Sequence, residues 1–202
     1  LDVKVPLRSA GGVRFGLEDA VDEGEGIGVM TGSADKSVKF WDVLRSDGGK
    51  GRHPEIEHAR TLNMSDDVVA VRYSHLTPTA SSDRPEKSSS SRRMVFVSTL
   101  DAKVNVFHDD TLKFYLCLYG HKLPALSLDA TDDGTLLATV GADKSLRIWG
   151  LDFGDCHRTL YGHSDSVTDV KFVRGTHLLF TCGKDGDVRI WDADRFEQVQ
   201  RL

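Results

Sequence analysis

The stretch Thr181-Cys-Gly-Lys-Asp-Gly-Asp-Val-Arg-Ile-Trp-Asp192 recurs in related form along the chain, and its recurrence indicates a repeat architecture. Related segments run from Thr31 to Asp42, from Val97 to Phe107 and from Thr139 to Trp149. The aspartates at the centre of the last three segments are 42 positions apart. A fixed period of this length is typical of tandem structural repeats, in which each copy is one supersecondary unit.

Within a unit, short runs alternate between apolar and polar residues, as in Ser166–Phe172 and Val188–Trp191. This period of two is typical of half-buried strands. Turn-forming residues separate the runs, as in Thr131-Asp-Asp-Gly134 and Lys184-Asp-Gly186. The pattern therefore predicts an all-β protein in which each unit has four antiparallel strands.

Composition narrows the classes of protein that the chain can belong to. The 202 residues are 39% apolar and 28% charged, which is typical of a folded domain and excludes disorder of the whole. No run of 18 apolar residues is present, so the sequence predicts no membrane partner. The net charge of −5 argues against a generalised basic surface for nucleic acid.

The ends of the chain and its cysteines indicate its context. Three cysteines without CxxC spacing fit a reducing compartment, the cytosol or the nucleus. The chain begins at Leu1 without an initiator methionine or a signal peptide. We therefore expect it to be a segment of a longer polypeptide that continues in both directions.

Two dipeptides place the repeats in a known family. Gly-His pairs occur at Gly120-His121 and Gly162-His163, and the units close on Trp41-Asp42, Trp149 and Trp191-Asp192. In this order the residues resemble the WD-repeat family. The resemblance implies a WD40-repeat β-propeller, here about four blades of a larger ring that commonly has seven.

The resemblance also implies a buried hydrogen-bonded network of His, Thr, Asp and Trp within a blade. Trp donates, Asp accepts, and Thr and neutral His do both, so the four types satisfy one another. The predicted structural tetrads are His121, Thr139, Asp143 and Trp149, and then His163, Thr181, Asp185 and Trp191. The first unit has Thr31, Asp35 and Trp41 without a histidine, and the second has Val97, Asp101 and Phe107. We expect these two units to depend on packing alone.

Two chemical alternatives compete with this structural interpretation. His, Asp and Thr together also suit a catalytic dyad or triad, but their recurrence in successive units favours a scaffold. Cys156-His157, Cys182 and His177 contain metal-ligand types but lack the paired short spacings of structural zinc. The sequence therefore predicts no catalytic residue, no cofactor and no metal.

Departures from the period locate two inserts. The predicted blades cover about 1–44, 56–110, 112–152 and 156–202, with inserts at about 45–55 and 77–93. Both inserts are expected on one face, since the first-to-second and third-to-fourth connections of a blade open on the same side. The Ser-rich insert 77–93 carries Lys87 and Arg92-Arg93, which suit a phosphosite, a nuclear-import element or a local RNA contact; a solvated loop is the simpler interpretation.

Three lysines in second-to-third-strand turns are the candidate partner-binding residues. Lys36, Lys144 and Lys184 are expected to repeat around one face of the ring. Solvated lysines without a partner are the alternative interpretation.

Four stretches resemble one branch of the WD-repeat proteins, the U-three-protein-twelve family. They are Ser65–Arg72, Leu112–Pro124, Ile148–Arg158 and Lys184–Glu197. The resemblance implies a non-catalytic subunit of the UTP-B complex in the nucleus and nucleolus, with the other WD-repeat subunits of UTP-B, the U3 snoRNP and pre-rRNA as partners. A WD-repeat adaptor of another class, such as a ubiquitin-ligase substrate receptor or a signalling platform, is the alternative, because fold alone fixes no function.

Overall fold

A computed structural model describes residues 3–4, 27–44, 55–74 and 93–202. In these residues all regular elements are strands, and they form four antiparallel four-stranded sheets, which we number 1 to 4 in chain order. The predicted all-β class is thereby confirmed. The strands are β1 (Val3–Lys4), β2 (Ile27–Ser33), β3 (Ser37–Leu44) and β4 (Glu55–Asn63) in sheet 1; β5 (Val68–Ser74), β6 (Met94–Thr99), β7 (Val104–His108) and β8 (Phe114–Leu118) in sheet 2; β9 (Ala125–Ala130), β10 (Leu136–Gly141), β11 (Ser145–Gly150) and β12 (Cys156–Tyr161) in sheet 3; and β13 (Val167–Phe172), β14 (Leu178–Gly183), β15 (Val188–Asp192) and β16 (Glu197–Arg201) in sheet 4.

Neighbouring sheets pack face to face and share three apolar cores. Sheets 1 and 2 enclose a core around Phe40 and Val95, sheets 2 and 3 one around Phe96 and Leu128, and sheets 3 and 4 one around Ile148. Strands β6 and β10 are buried at every position because a sheet covers each of their faces. The hydrophobic effect therefore acts mainly between sheets.

The strands of each sheet run from the inside of the array to its outside. The first strands β5, β9 and β13 lie beside one another and form the inner side. The fourth strand is the most exposed, and every residue of β16 is exposed to solvent. This graded burial explains why the fourth strands carry a weaker apolar pattern than the second strands.

The sheets do not follow the blade limits expected from the sequence. Strands β4, β8 and β12 pair with β3, β7 and β11, so each sheet takes its fourth strand from the start of the next predicted blade. The predicted blade limits were placed in the connections before β4, β8 and β12. Backbone hydrogen bonds instead join each of these strands to the sheet that precedes the connection. The sequence repeat and the sheet are therefore offset by one strand.

The two predicted inserts lie outside the described residues, apart from Glu55 and Arg93 at their ends. The strands that flank them are described. The smaller insert joins β3 to β4 and the larger joins β5 to β6. Among the described residues, no helix is long and apolar enough to cross a membrane.

Candidate functional site

The structure brings the four polar side chains of sheet 3 into one chain of hydrogen bonds. Trp149 Nε1 donates to Thr139 Oγ1 over 2.8 Å, and Thr139 Oγ1 lies 2.7 Å from His121 Nε2. His121 Nδ1 lies 3.0 Å from Asp143 Oδ2. Thr139 is on β10, Trp149 on β11, Asp143 in the turn between them and His121 before β9. One residue from each of these four parts of the chain thus contributes to a single network inside the sheet.

Sheet 4 repeats this arrangement with the same atoms. Trp191 Nε1 donates to Thr181 Oγ1 over 2.8 Å, and Thr181 Oγ1 lies 2.8 Å from His163 Nε2. His163 Nδ1 lies 2.9 Å from Asp185 Oδ1. The pairing of the third and fourth strands shifts register immediately before the tryptophan in both sheets. A bulge re-aims the following side chain, so it directs the indole towards the threonine.

The direction of each hydrogen bond follows from the chemistry of the groups. An indole nitrogen only donates, so the threonine oxygen accepts from tryptophan and its hydroxyl donates to histidine Nε2. Nδ1–H of the histidine then donates to the aspartate. Burial lowers the pKa of His121 despite the nearby Asp143 carboxylate, which favours this neutral tautomer. The side-chain polar groups of this tetrad therefore satisfy one another.

The aspartates are held as carboxylates by several donors. Burial alone would raise the pKa of Asp143, but hydrogen bonds from Ser145, the Lys122 amide and His121 lower it. Asp185 likewise has a pKa far below its usual value despite desolvation, because His163 and the amides of Ser164 and Asp187 donate to it. Each carboxylate therefore also fixes the turn that follows it.

The Asp–His–Thr order matches the atoms of a catalytic triad, but its surroundings do not suit catalysis. A nucleophile must be accessible to substrate and activated by its base. Thr139 has no exposed surface and Thr181 is 1% exposed, while a tryptophan donates to each hydroxyl. These hydroxyls are bonded inside a sheet, where no substrate reaches them.

Sheet 1 keeps half of the network, so the expectation that it depends on packing alone is wrong. Trp41 Nε1 donates to Thr31 Oγ1 over 2.9 Å, and Asp35 accepts from the hydroxyl and amide of Ser37. In sheet 2, Asp101 accepts from the Thr99 hydroxyl over 2.6 Å. The turn aspartate therefore accepts hydrogen bonds in all four sheets, including sheets 1 and 2, where no histidine of the described residues is part of the network.

The comparison with known families now identifies the chain. The model of the WDR3 second beta-propeller domain matches residues 18–202. The chain belongs to this family. The four sheets are therefore blades of a β-propeller, and the resemblance to WD-repeat proteins of the U-three-protein-twelve family is confirmed.

Individual relatives agree with the family. The chain is 45% identical over 99 residues to WD repeat-containing protein 3 of Homo sapiens, which covers 48% of this chain and 9% of that protein. It is 43% identical over 112 residues to U3 small nucleolar RNA-associated protein 12 of Saccharomyces cerevisiae, covering 52% and 10%. The WD repeat-containing protein 3 homolog of Dictyostelium discoideum is 40% identical over 104 residues, covering 50% and 9%. The aligned part is thus a small share of each relative's own length.

The three predicted lysines are exposed, but they do not form one equivalent set in the propeller. Lys36 and Lys144 follow the turn aspartate and have positive φ angles of 65° and 66°. Gly186, with a φ of 82°, takes that place in blade 4, while Lys184 precedes the aspartate. Lys144 Nζ donates to the Ser164 carbonyl over 2.8 Å. Partner binding by these lysines stays a prediction.

The cysteine and histidine side chains considered as metal ligands already have other partners. Cys156 Sγ contacts the Arg158 carbonyl, and His177 bonds to two aspartates. Among the described residues, one group of three potential ligands has all its ligand atoms within 4.8 Å of one another, namely His163, Asp185 and Asp187. His163 and Asp185 already bond to each other, and Arg189 and Arg201 pair with Asp187. Existing partners therefore account for this cluster without a metal.

A buried carboxylate that the sequence reasoning missed links three blades. Asp129 on β9 pairs with Arg72 on β5 over 2.7 Å and with Lys171 on β13 over 3.3 Å. Asp129 Oδ2 also accepts from the Phe172 amide over 2.9 Å. The three charged residues occupy equivalent positions of successive first strands. The signal was present in the sequence, since Asp129 and Lys171 are 42 positions apart.

His177, in the connection between β13 and β14, links blade 4 to blade 3. His177 Nδ1 lies 2.6 Å from Asp194 Oδ1, and its Nε2 lies 3.2 Å from Asp133 Oδ2. The Gly175 amide donates to Asp132 in the same contact. The bond to Asp194 raises the pKa of His177, with a further contribution from Asp133 and against partial burial. The imidazolium form suits this place because both ring nitrogens then donate to carboxylates.

The contribution of His177 to stability is expected to depend on pH. Its pKa is raised above 6.5 in the folded state, so the stabilisation is fully present below about pH 6.5 and is lost as pH rises through the folded value. His177→Gln should therefore lower the free energy of unfolding in acid, by less than about 1 kcal/mol because the ring is partly exposed. Urea titrations from about pH 5 to about pH 9 would measure the difference. In an Asp194→Asn background, the effect of His177→Gln on the free energy of unfolding should depend less on pH. An unchanged pH dependence in that background would contradict this explanation.

Proposed function

We propose that the chain is part of a non-catalytic WD-repeat scaffold subunit of the nucleolar small-subunit processome, which assists pre-rRNA processing and 40S ribosomal subunit assembly. The support is the match of residues 18–202 to the WDR3 propeller family together with the name of the yeast relative, U3 small nucleolar RNA-associated protein 12. The other WD-repeat subunits of the UTP-B complex, the U3 snoRNP and pre-rRNA are the proposed partners, and the nucleolus is the proposed location.

The geometry of the buried tetrads supports a role without chemistry. Their hydroxyls are buried and bonded on both sides, so they serve to hold the turns of the blades. A rigid sheet presents its loops at fixed separations, and a partner then loses little ordering entropy on binding. The net charge of −5 favours protein contacts over a general grip on the RNA backbone.

Affinity purification of the full-length protein tests this function. We expect U3 RNA and processome subunits to be recovered with the protein and to remain bound after washing with moderate salt. Recovery of cullin-type ligase components instead of U3 RNA would contradict the proposal and favour a substrate receptor. The control is a WD-repeat protein of another complex, purified in the same way.

We also propose that blade 4 packs against a further blade of a larger propeller. In blade 3, the packing face contains Leu136, Ala138 and Leu146, which are at most 8% exposed beneath blade 4. The equivalent residues of blade 4, Leu178, Phe180 and Val188, are 37–38% exposed. An apolar face at the equivalent positions suits the same kind of cover, a neighbouring blade.

The variant Phe180→Asp tests this packing in the full-length protein. If a neighbouring blade covers the position, the variant buries a carboxylate and should lower the free energy of unfolding by about 2 kcal/mol. Tyr161→Asp is the matched control, because Tyr161 is 67% exposed on an outer strand. Its effect should stay within about 0.5 kcal/mol. Equal small effects of both variants, measured by denaturant unfolding, would mean that the face is free.

A further inference from the structure

The turn between β11 and β12 departs from the pattern that the described turns of blades 2 and 4 share. Its residues Leu151–Asp155 are equivalent to 109–113 in blade 2 and 193–197 in blade 4, at the repeat spacing of 42. In those blades the left-handed position of the turn is Leu112, with a φ of 52°, or Phe196, with a φ of 57°; both pack against the core beneath them. Blade 3 has Gly154 there, with a φ of 74°.

Glycine at 154 leaves the left-handed position of the turn without a side chain. A Cβ on Gly154 would lie 3.2 Å from side-chain atoms of Leu116 and Leu118, so those leucines occupy the space that blades 2 and 4 fill from this position. The neighbouring Phe153 carries an apolar ring that is 90% exposed. The equivalent solvent-facing positions in blades 2 and 4 are polar, Thr111 and Arg195.

Hydrogen bonds fix the turn that carries Phe153. The Gly150 amide donates to the Asp155 carbonyl and the Gly154 amide donates to the Gly150 carbonyl, both over 3.0 Å. The Tyr115 hydroxyl donates to the Asp152 carbonyl over 3.2 Å from the neighbouring blade. Leu151 is 2% exposed and anchors the start of the turn. An exposed aromatic ring on an ordered turn is an anchor that needs little ordering to bind.

The surroundings of Phe153 are acidic. Asp152 and Asp155 flank it in the turn. Other connections on the same face carry further aspartates, namely Asp109, Asp110, Asp132, Asp133 and Asp194. The lysines and arginines of the described connections on this face are fewer: Arg93, Lys113, Arg174 and Arg195. The two carboxylates beside Phe153 repel phosphates and attract cationic segments.

We propose that Phe153 and its flanking aspartates form a docking site for a partner protein, which supplies an apolar pocket for the ring and lysine or arginine side chains for Asp152 and Asp155. This proposal rests on the proposed scaffold function, because it names the kind of partner that one surface of the scaffold takes. The carboxylates of Asp152 and Asp155 favour a basic protein segment over RNA as the occupant of this turn.

Site-specific photocrosslinking in the full-length protein tests the docking site. Phe153→p-benzoylphenylalanine should crosslink to a protein segment rich in lysine and arginine, identified by mass spectrometry. The same photoreactive residue at Thr111 and Arg195 is the matched control, and we expect a yield about tenfold lower at both positions. Adding Asp152→Asn and Asp155→Asn should reduce the crosslink at position 153 about fivefold.

Other outcomes overturn the proposal. They are equal yields at positions 111, 153 and 195, a crosslink to RNA, or a crosslink to a segment without basic residues. Phe153→Ser should leave the melting temperature unchanged, because the ring is exposed, while recovery of the crosslinked protein falls about tenfold. Recovery of U3 RNA with the unaltered protein is measured in parallel, so loss of the docking site is distinguished from failure of the scaffold function.

Discussion

Replacing Asp129 by alanine is expected to lower the free energy of unfolding by about 3–5 kcal/mol. The Asp129 side chain is 6% exposed and the Arg72 side chain 19% exposed, so the variant leaves a guanidinium with little water and no carboxylate. The variant also removes the acceptor of the Phe172 amide and the contact with Lys171. Three blades lose their shared link at once, which is why we expect a large effect. Urea unfolding of the purified protein measures it.

Two further variants separate the contributions of the Lys171 and Arg72 contacts to this loss of stability. Lys171→Ala should cost less than about 1 kcal/mol, since the Lys171 side chain is 59% exposed and its pairing is screened by water. The double variant Asp129→Ala with Arg72→Met should be more stable than Asp129→Ala alone, because it removes the uncompensated charge. An Asp129→Ala effect no larger than that of Lys171→Ala would show that the buried pair adds nothing to stability.

Replacing Thr181 by valine should cost about 1–3 kcal/mol for each of the two polar groups that it leaves unpaired. Those groups are Trp191 Nε1–H, which loses its acceptor, and His163 Nε2, which loses its donor. Valine has nearly the shape of threonine, so the effect reports the hydrogen bonds and little else. Thr139→Val should behave in the same way in blade 3.

Blade 1 supplies a graded control for this experiment. Thr31→Val leaves only the Trp41 indole N–H without its acceptor, since the described network of blade 1 has no histidine. It should lower the free energy of unfolding by about 1 kcal/mol. Thr168→Val on the exposed side of β13 should change stability by no more than about 0.5 kcal/mol. Equal effects of Thr181→Val and Thr168→Val in denaturant unfolding would contradict an architectural role of the tetrads.

The local pattern of the sequence was sufficient to place most of the strands, and the resemblance to WD-repeat proteins together with the repeat spacing indicated the members of both tetrads. Period-two alternation and turn residues mark each strand, and the constant spacing aligns His163, Thr181 and Trp191 with their counterparts in the preceding repeat. Hydrogen bonding then follows, because four complementary groups that reach one buried site satisfy one another.

Two expectations from the sequence are corrected by the structure. Lys184 precedes its turn aspartate, whereas Lys36 and Lys144 follow theirs, so the three lysines are not equivalent. Blade 1 was expected to rely on packing, yet Trp41 donates to Thr31 across the same ten-residue spacing as in blade 3. Spacing does not supply the packing of one blade on the next, on which the contact of Asp129 with Arg72 depends.

The repeat and the all-β class follow from the sequence alone, because they depend on patterns within one unit, and the resemblance to WD-repeat proteins added the buried polar groups. The strand that completes each sheet, the link of Asp129 to three blades, and the outward Phe153 against the inward Phe196 follow from the tertiary structure. These features depend on contacts between residues from different units. The packing of one sheet on the next sets them, and no single repeat encodes that packing.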